Sequence, residues 1–444
     1  MTRSPGARSC ATSRRRSSST TTRAPCRPPS GRPRTAPAPT ATATATATGT
    51  PTGTGTGTGT ATATGTRRRP TSRAARSWAR ARGCIAATRR RRRRTACRPS
   101  IASTAAATAT VGRVDVGIAF DLKADFAGRV AQGGPEDLLE EYDSQPTIDA
   151  IAAALAALGH RPRLLGGGRR LLEQVLAAPP DLVFNIAEGF GGRSREAHVP
   201  AALEMLCVPY THSDPLTLAV TLDKAVAKRL AAAAGVPTPR FAVVAEAAQA
   251  AALDLALPVI AKPLWEGSSK GIRKSSRITD PKALGETVGR LLADYGEPVL
   301  VEEFLPGAEF TVGVLGTGRD ARVIGALEVV PRLARTEEFV YSLEVKRNWE
   351  VEVEYHVPPR RPPEVVADVE RVALDAYRAL ECRDVGRVDV RLDAQGRASF
   401  LEVNPLPGIH PVTGDLCILA RGRGMTYEEL IGAIVASARA RWGL

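Results

Sequence analysis

Two stretches of the chain carry side chains whose types and spacing suit phosphate and metal chemistry. In Arg387-Val-Asp-Val-Arg-Leu392, period-2 alternation places Val388, Val390 and Leu392 on one face of a strand and Arg387, Asp389 and Arg391 on the other. In Phe400-Leu-Glu-Val-Asn404, Leu401 and Val403 share a face, and Glu402 and Asn404 take the opposite one. A two-residue turn within Asp393-Ala-Gln-Gly396 predicts Arg387 opposite Glu402, with Asp389 diagonal to Glu402. Two carboxylates and an amide oxygen so placed suit Mg²⁺, a hard cation that takes few protein oxygens and fills its shell with phosphates and water. Pro405 and Gly408 end the strand and bring backbone N–H groups to the same corner. A solvated amphipathic hairpin has the same alternation, so the pattern alone leaves both readings open.

The second stretch, Lys262-Pro-Leu-Trp-Glu-Gly-Ser-Ser-Lys-Gly271, puts a lysine at the end of an apolar run, directly before a Gly/Ser loop. Backbone N–H groups of such a loop can close over a triphosphate while the lysine meets its oxygens as a point charge. A plain hairpin with a solvated lysine fits as well. The chain contains no GxxxxGK(S/T) and no strand-linked GxGxxG, which argues against the two commonest nucleotide-binding signatures.

The elements that must position these groups alternate. Val114 to Phe120 reads as a strand, Thr147 to Leu158 as a helix with Ile148, Ile151, Leu155 and Leu158 on one stripe, and Pro162 to Leu165 as extended. Arg170 to Ala177 reads as helical, Asp181 to Ile186 as a strand, and Ala201 to Leu206 as part of a helix. This alternation predicts a small parallel α/β domain over residues 111–213, with its ligand edge at the strand C-termini, where Asn185-Ile-Ala-Glu-Gly-Phe-Gly-Gly-Arg193 lies. One long Ala-rich helix is expected from Leu216 to Ala234. Strands are expected at Leu257–Lys262, near Gly271, at Val299–Leu305, Phe310–Leu315 and Val323–Val329. Helices are expected at Pro281–Tyr295 and Pro363–Leu380, with a polar segment at 333–360 between. The predicted boundaries are 214–303 and 304–444 for two further α+β lobes, the second holding the metal corner.

Charge divides the 444 residues differently. The net +15 arises from 61 Lys+Arg against 46 Asp+Glu, but residues 1–110 hold 23 Arg and no Lys, Asp or Glu. The remaining residues carry 38 basic and 46 acidic side chains, a net −8. The tail is Thr, Ala, Gly, Pro, Ser and Arg with almost no large apolar residue, so burial cannot offset chain entropy and the composition predicts disorder. An acid-free Arg segment suits phosphate backbones, yet Trp78 is its only aromatic residue, which weakens a nucleic-acid reading; a non-functional extension is the plainer one. No apolar run is long enough to span a membrane. Cys207, Cys382 and Cys417 are widely spaced, which fits reduced thiols in a cytoplasmic protein. The five His are scattered and suggest no site.

Taken together, Lys224, the Lys262 loop, Val299-Leu-Val-Glu-Glu-Phe-Leu-Pro-Gly-Ala-Glu-Phe-Thr311, Gly386-Arg-Val-Asp389 and Leu401-Glu-Val-Asn-Pro-Leu-Pro-Gly408 resemble the ATP-grasp superfamily, and within it most of all the D-alanine–D-alanine ligases. The resemblance implies an ATP-dependent, ADP-forming carboxylate–amine ligase that works through an acyl phosphate, in that family for the dipeptide of peptidoglycan precursors. An ATP-grasp ligase for other amino acids is the alternative. By the resemblance, Lys224 and Lys262 hold ATP phosphates, and Ser268 and Ser269 belong to the loop that closes over them. Glu302, Glu303 and Leu305 match the adenine-binding stretch, and Glu309 matches the ribose-binding carboxylate. Asp389, Glu402 and Asn404 match the ligands of two Mg²⁺ ions, for which Mn²⁺ is a substitute. Arg387 and the Gly408 backbone match the donors to an oxyanion, and Lys346 matches a lysine of the family's mobile loop near the γ-phosphate. Amino-acid-type substrates and a homodimer are implied in the same way. The sequence departs from the pattern in its substrate half. Phe120-Asp-Leu-Lys-Ala-Asp125 replaces a glycine-rich first loop, and Glu141 and Asp143 are the candidates for the carboxylate that anchors the first amino group. Glu188 stands where the family commonly shows histidine, Arg347 where tyrosine is usual, and Thr413 near a substrate-contacting serine.

Overall fold

The apolar run near residue 115 forms a strand, Asp115–Ala119 (β1), which lies between Arg161–Gly166 (β2) and Leu182–Asn185 (β3) in a parallel sheet ordered β2-β1-β3. The computed structural model describes residues 112–128 and 134–444. The Arg-rich tail, with its predicted disorder, lies outside the described residues. One face of the parallel sheet packs Val116 and Ile118 against Ile148, Ile151 and Leu155 of the helix Gln145–Ala157. The same core takes in Leu430, Ile431 and Ile434 of the helix Tyr427–Trp442, so this helix completes the layer that β1 begins. The other face carries Leu171 and Val175 of Gly168–Ala177 and Val199 and Leu203 of His198–Met205.

Two antiparallel sheets follow. Phe241–Val244 (β4), Val259–Pro263 (β5), Arg277–Ile278 (β6) and Val299–Glu303 (β7) are ordered β4-β7-β5-β6, backed by the helix Pro281–Tyr295 through Leu284, Val288 and Leu291. Glu309–Leu315 (β8), Arg322–Pro331 (β9), Val353–His356 (β10), Val385–Leu392 (β11) and Ala398–Asn404 (β12) are ordered β10-β9-β8-β11-β12. The helix Pro363–Ala379 covers that sheet with Val369, Val372, Ala373 and Ala376.

Four local expectations are corrected. The Ala-rich stretch is two helices, Pro215–Leu222 and Lys224–Ala233, because Asp223 leaves the helical region (φ −83°, ψ 96°) and caps the second helix, accepting from Val226 N at 3.0 Å. The residues around Gly271 are a turn, and the strand begins only at Arg277. Gly271 has φ +71°, and a Cβ there would lie 2.5 Å from Pro263 Cγ, so the loop folds back tightly on β5. The polar segment 333–360 contains the short helices Leu343–Arg347 and Trp349–Glu352 and the edge strand β10. The predicted register of the β11–β12 hairpin is also wrong. Its loop spans five residues, with the Asp393 carboxylate accepting from Gln395 N and Arg397 N at 2.9 Å each. A bulge at Leu401 then sets Asp389 directly opposite Glu402, and Arg387 opposite Asn404.

The layers meet at Asp384, which is fully buried. Its carboxylate accepts from His212 N (2.9 Å), Thr317 Oγ1 (3.1 Å), Ser437 Oγ (2.9 Å) and Arg441 Nη2 (2.8 Å). Asp384→Ala leaves all four donors without this acceptor and takes the counter-charge from the Arg441 guanidinium, so it is expected to lower stability by about 3–5 kcal/mol. Glu173→Ala, which breaks the exposed Arg169–Glu173 pair, is expected to change stability by less than about 0.5 kcal/mol. Denaturant titration of both variants checks the contrast, and equal losses would show that Asp384 does not join the layers.

Candidate active site

Lys262 is the penultimate residue of β5, and its ammonium meets Glu302 of the neighbouring strand β7 at 2.7 Å. Lys228, one turn into its helix, meets the other oxygen of Glu302 at 2.8 Å. Burial alone would raise the Glu302 carboxyl, but the two ammonium groups, Lys228 first, outweigh it and hold Glu302 below its usual range. The carboxylate of Glu302 is therefore committed to the two lysines, and the Glu303 side chain turns to Arg240 at 3.1 Å. Only backbone of this stretch is left for a base. Leu305 and Glu303 line a cleft with Lys262, Ser269, Glu309, Lys346, Arg387, Asp389 and Glu402.

The break at Asp223 aims Lys224 at the same region. The Asp223 carboxylate also accepts from Trp265 Nε1 (3.0 Å) and Arg193 (2.9 Å), tying the helix start to the Gly/Ser loop. Lys224 donates to Glu266 O at 2.5 Å and lies 3.5 Å from Glu402. In the loop itself Ser268 and Ser269 both have positive φ (51° and 59°), a conformation that costs non-glycine residues about 1–3 kcal/mol and clusters at functional sites. Ser269 lines the cleft and donates to Tyr341 O at 3.2 Å, while Ser268 lines a second cavity. The loop thus forms the partition between the two.

The carboxylate corner is set by the bulge. Arg387 donates from Nε to Asp389 Oδ1 (3.2 Å) and from Nη2 to Oδ2 (2.9 Å), and Thr311 Oγ1 donates to Oδ1 at 3.0 Å. Arg387 also lies 3.4 Å from Asp415. Burial, together with repulsion from Glu402, raises the Asp389 carboxyl against the pull of Arg387. Glu402 is half-buried, and Lys224, Lys262 and Arg387 outweigh its partial desolvation and hold it far below the usual range. Asn404 Nδ2 donates to Asp389 Oδ2 at 3.3 Å; turning the amide over would present its oxygen to the same point. Two carboxylates facing across a ladder, with an amide beside them, are hard oxygen donors whose mutual repulsion a divalent cation relieves. The residues therefore fit Mg²⁺ or Mn²⁺. Among the described residues no three His, Cys, Asp or Glu side chains converge as a metal cage, so phosphate and water would have to complete such a shell.

The structure brings Lys224, Lys262, Ser268, Ser269, Lys346, Arg387, Asp389, Glu402, Asn404 and Gly408 to two cavities that share Arg387 and Glu402. Lys346 sits on the short helix capped by Ser342, 5.0 Å over the Tyr341 ring, and Leu343 N bonds Ile272 O at 3.1 Å, so this segment packs onto the Gly/Ser loop. Glu309 lines the cleft but shares its carboxylate with Arg391 at 2.9 Å. Arg391 was legible only as a polar-face residue. Its guanidinium also lies 4.5 Å from the Phe304 ring centroid and donates to Phe339 O at 2.8 Å, which makes it a wall of the cleft. Neither candidate amino-group anchor is free. Glu141 is spent on Arg195 (2.7 Å) and Lys270 (2.8 Å), and Asp143 does not line the cavity, its carboxyl pushed up to about 7 by burial. Thr413 is turned to His410 Nδ1 at 3.0 Å.

Comparison with known proteins agrees with this geometry. Residues 230–436 match the family described as the D-ala D-ala ligase C-terminus. The D-alanine–D-alanine ligase of Bordetella petrii is 36% identical over 292 residues, covering 65% of this chain and 85% of its own length. An uncharacterised protein of Sinorhizobium fredii is 33% identical over 302 residues, covering 66% of this chain and 88% of its own. The D-alanine–D-alanine ligase of Bacillus anthracis, solved with ATP, superposes with a TM-score of 0.55 at 18% identity over 74% of this chain and 99% of its own, which establishes the shared fold. By its sequence relatives and its architecture, the chain belongs to the D-alanine–D-alanine ligase family of ATP-grasp, ADP-forming ligases.

Proposed function

We propose that the protein joins a carboxylate to an amine at the cost of ATP, with D-alanine, the amino acid in the relatives' names, as the first substrate to test. The observation that carries the reading is the meeting of the two cavities at Arg387 and Glu402 beneath the Gly/Ser loop. A triphosphate in the cleft ends where an acyl group in the second cavity begins. The base packs between Ile260, Ile272 and Leu401 beside the 302–305 backbone, and Lys262 faces the phosphates. Lys224 and Lys346 supply further positive charge at the junction, and Ser268 and Ser269 hold the loop over it.

The substrate carboxylate attacks the γ-phosphorus and ADP leaves, giving an acyl phosphate. The amine nitrogen then adds to the acyl carbon, a negative charge collects on the acyl oxygen, and collapse of this species expels phosphate as the amine loses its proton. Arg387, with the Gly408 backbone, stabilises the charge on that oxygen, and the chain's share throughout is positioning and electrostatics. The closed Gly/Ser loop and the 343–347 helix keep water from the acyl phosphate. Asp389, Glu402 and Asn404 would hold Mg²⁺, which when bound neutralises phosphate charge. The alternative substrate pairing, other amino acids, is favoured by one observation, Glu188 in the second cavity.

ADP release by the full chain, measured with MgATP and amino acids in pairs, tests the reading. Turnover that depends on D-alanine supports the dipeptide ligase, turnover with other pairs only supports the alternative, and no turnover with any pair sinks both. Chelating divalent metal is expected to abolish turnover, with recovery on adding Mg²⁺ or Mn²⁺. Arg387→Ala is expected to lower kcat by about 10²–10³-fold, the loss typical of an oxyanion donor. A comparable rise in KM for ATP with kcat intact would instead make Arg387 a nucleotide ligand. Removing residues 1–110 is expected to leave kcat/KM within about twofold, because every residue assigned to chemistry lies after Val111; a tenfold loss in a folded truncation would give the tail a role.

A further inference from the structure

Arg387 touches two carboxylates and holds them unequally. Towards Asp389 it makes two bonds, from Nε at 3.2 Å and from Nη2 at 2.9 Å, whereas its Nη1 reaches Asp415 at 3.4 Å. Asp389 has no acceptor position to spare. Its Oδ1 takes Arg387 Nε and Thr311 Oγ1, and its Oδ2 takes Arg387 Nη2 and Asn404 Nδ2, which fills the lone-pair sites of a carboxylate. Asp415 is the opposite case. Among the described residues each of its oxygens has one distant side-chain partner, Arg387 at 3.4 Å and Tyr341 Oη at 3.5 Å, so it has capacity left. Both distances exceed the roughly 2.7–2.9 Å of a charge-assisted bond.

A dication at the carboxylate corner needs an oxygen of Asp389, and the present arrangement leaves none free. Turning over the Asn404 amide would open a position on Oδ2, and rotating the Thr311 hydroxyl would open one on Oδ1. In either case Arg387 would share that oxygen with the ion, and two cations on one oxygen of a largely buried carboxylate repel each other. We infer that Asp415 is a positioning residue, which takes over the Arg387 guanidinium when Asp389 turns to a divalent cation and keeps it at the junction of the two cavities. The inference rests on the ligase reading, and it deepens that reading by saying how Arg387 is freed to meet an oxyanion.

Asp415 is set firmly in the wall of the cleft. It opens the helix Asp415–Gly422, whose Leu416 and Cys417 are buried in the core. A Cβ on Gly414 would stand 2.6 Å from Gly408 O, and Gly414 N donates to His410 O at 2.9 Å, so the chain from Gly408 to Asp415 folds back on itself. Both groups assigned to the oxyanion, the Arg387 guanidinium and the Gly408 backbone, are thereby tied to one short segment. Tyr341 meets the other oxygen of Asp415, and its hydroxyl lies 2.5 Å from Tyr355 Oη. Burial, with the Asp415 charge added to it, raises the Tyr341 phenol well above its usual range, so it stays a proton donor. The side chains of Arg387 and Asp415 are each only 12% exposed, so solvent screens their contact little.

Mn²⁺ binding to the full chain at saturating ADP, followed by electron paramagnetic resonance of the free ion, tests the hand-over without requiring turnover. Asp415→Asn is expected to weaken Mn²⁺ binding about five- to tenfold, because Arg387 then keeps its hold on Asp389, while ADP affinity stays within about twofold. In an Arg387→Met background, which removes the competitor, the same substitution is expected to cost at most about twofold. Asp415→Glu, which keeps the carboxylate, is expected to restore most of the affinity. A loss as large in the Arg387→Met background as in the wild type overturns the inference, because Asp415 would then be a metal ligand or a bare attracting charge. Unchanged Mn²⁺ affinity in Asp415→Asn overturns it as well, as does a wild type that binds no Mn²⁺ with ADP. If Asp415→Asn does not fold, Asp415→Ser gives the same comparison in both backgrounds. Absence of ADP release with every amino-acid pair is a separate result that bears on the ligase reading itself.

Discussion

Glu302 is the constraint on which the lysine-lined side of the cleft depends. A carboxylate with 2% exposure stays ionised only if cations are brought to it, and the fold brings Lys228 from a helix and Lys262 from the adjacent strand. The three groups together carry one positive charge, and Lys262 is the one of the two lysines that lines the cleft. A few ångströms on, Arg387 and Lys224 face Asp389, Glu402 and Asp415, a set with one negative charge in excess. The site is thus positive where phosphate would lie and negative where a divalent cation would lie. That polarity follows from a strand order that puts β5 beside β7 and β8 beside β11.

The bulge at Leu401 decides the second half of the geometry. Without it, strict alternation would keep Leu401 with Val403 in the core and turn Phe400 outward. With it, Phe400 and Val403 both enter the core and Leu401 faces the cleft, next to Glu402. One extra residue therefore brings an apolar side chain and a carboxylate to the same cleft from adjacent positions.

This is also where the sequence ceased to be legible. The alternation of Arg387, Asp389, Glu402 and Asn404 identified the right residues, because period-2 patterning survives on each strand taken alone. The register between the strands depended on a five-residue loop closed by the Asp393 carboxylate and on the bulge, and neither leaves a periodic trace. The break at Asp223 was hidden for a similar reason. Alanine-rich sequence on both sides favours helix, and the interruption is stabilised by Trp265 and Arg193, which are remote in sequence. Lys262 and its loop were readable from local chemistry, but the partners that spend Glu302 and Glu141, namely Lys228, Arg195 and Lys270, became visible only when distant segments met.

The network around Glu141 holds the Gly/Ser loop by a different balance. Glu141 and Glu266 against Arg195 and Lys270 sum to zero charge, so the network can anchor that loop to the N-terminal layer without drawing on Lys262, which stays paired with Glu302 and faces the cleft.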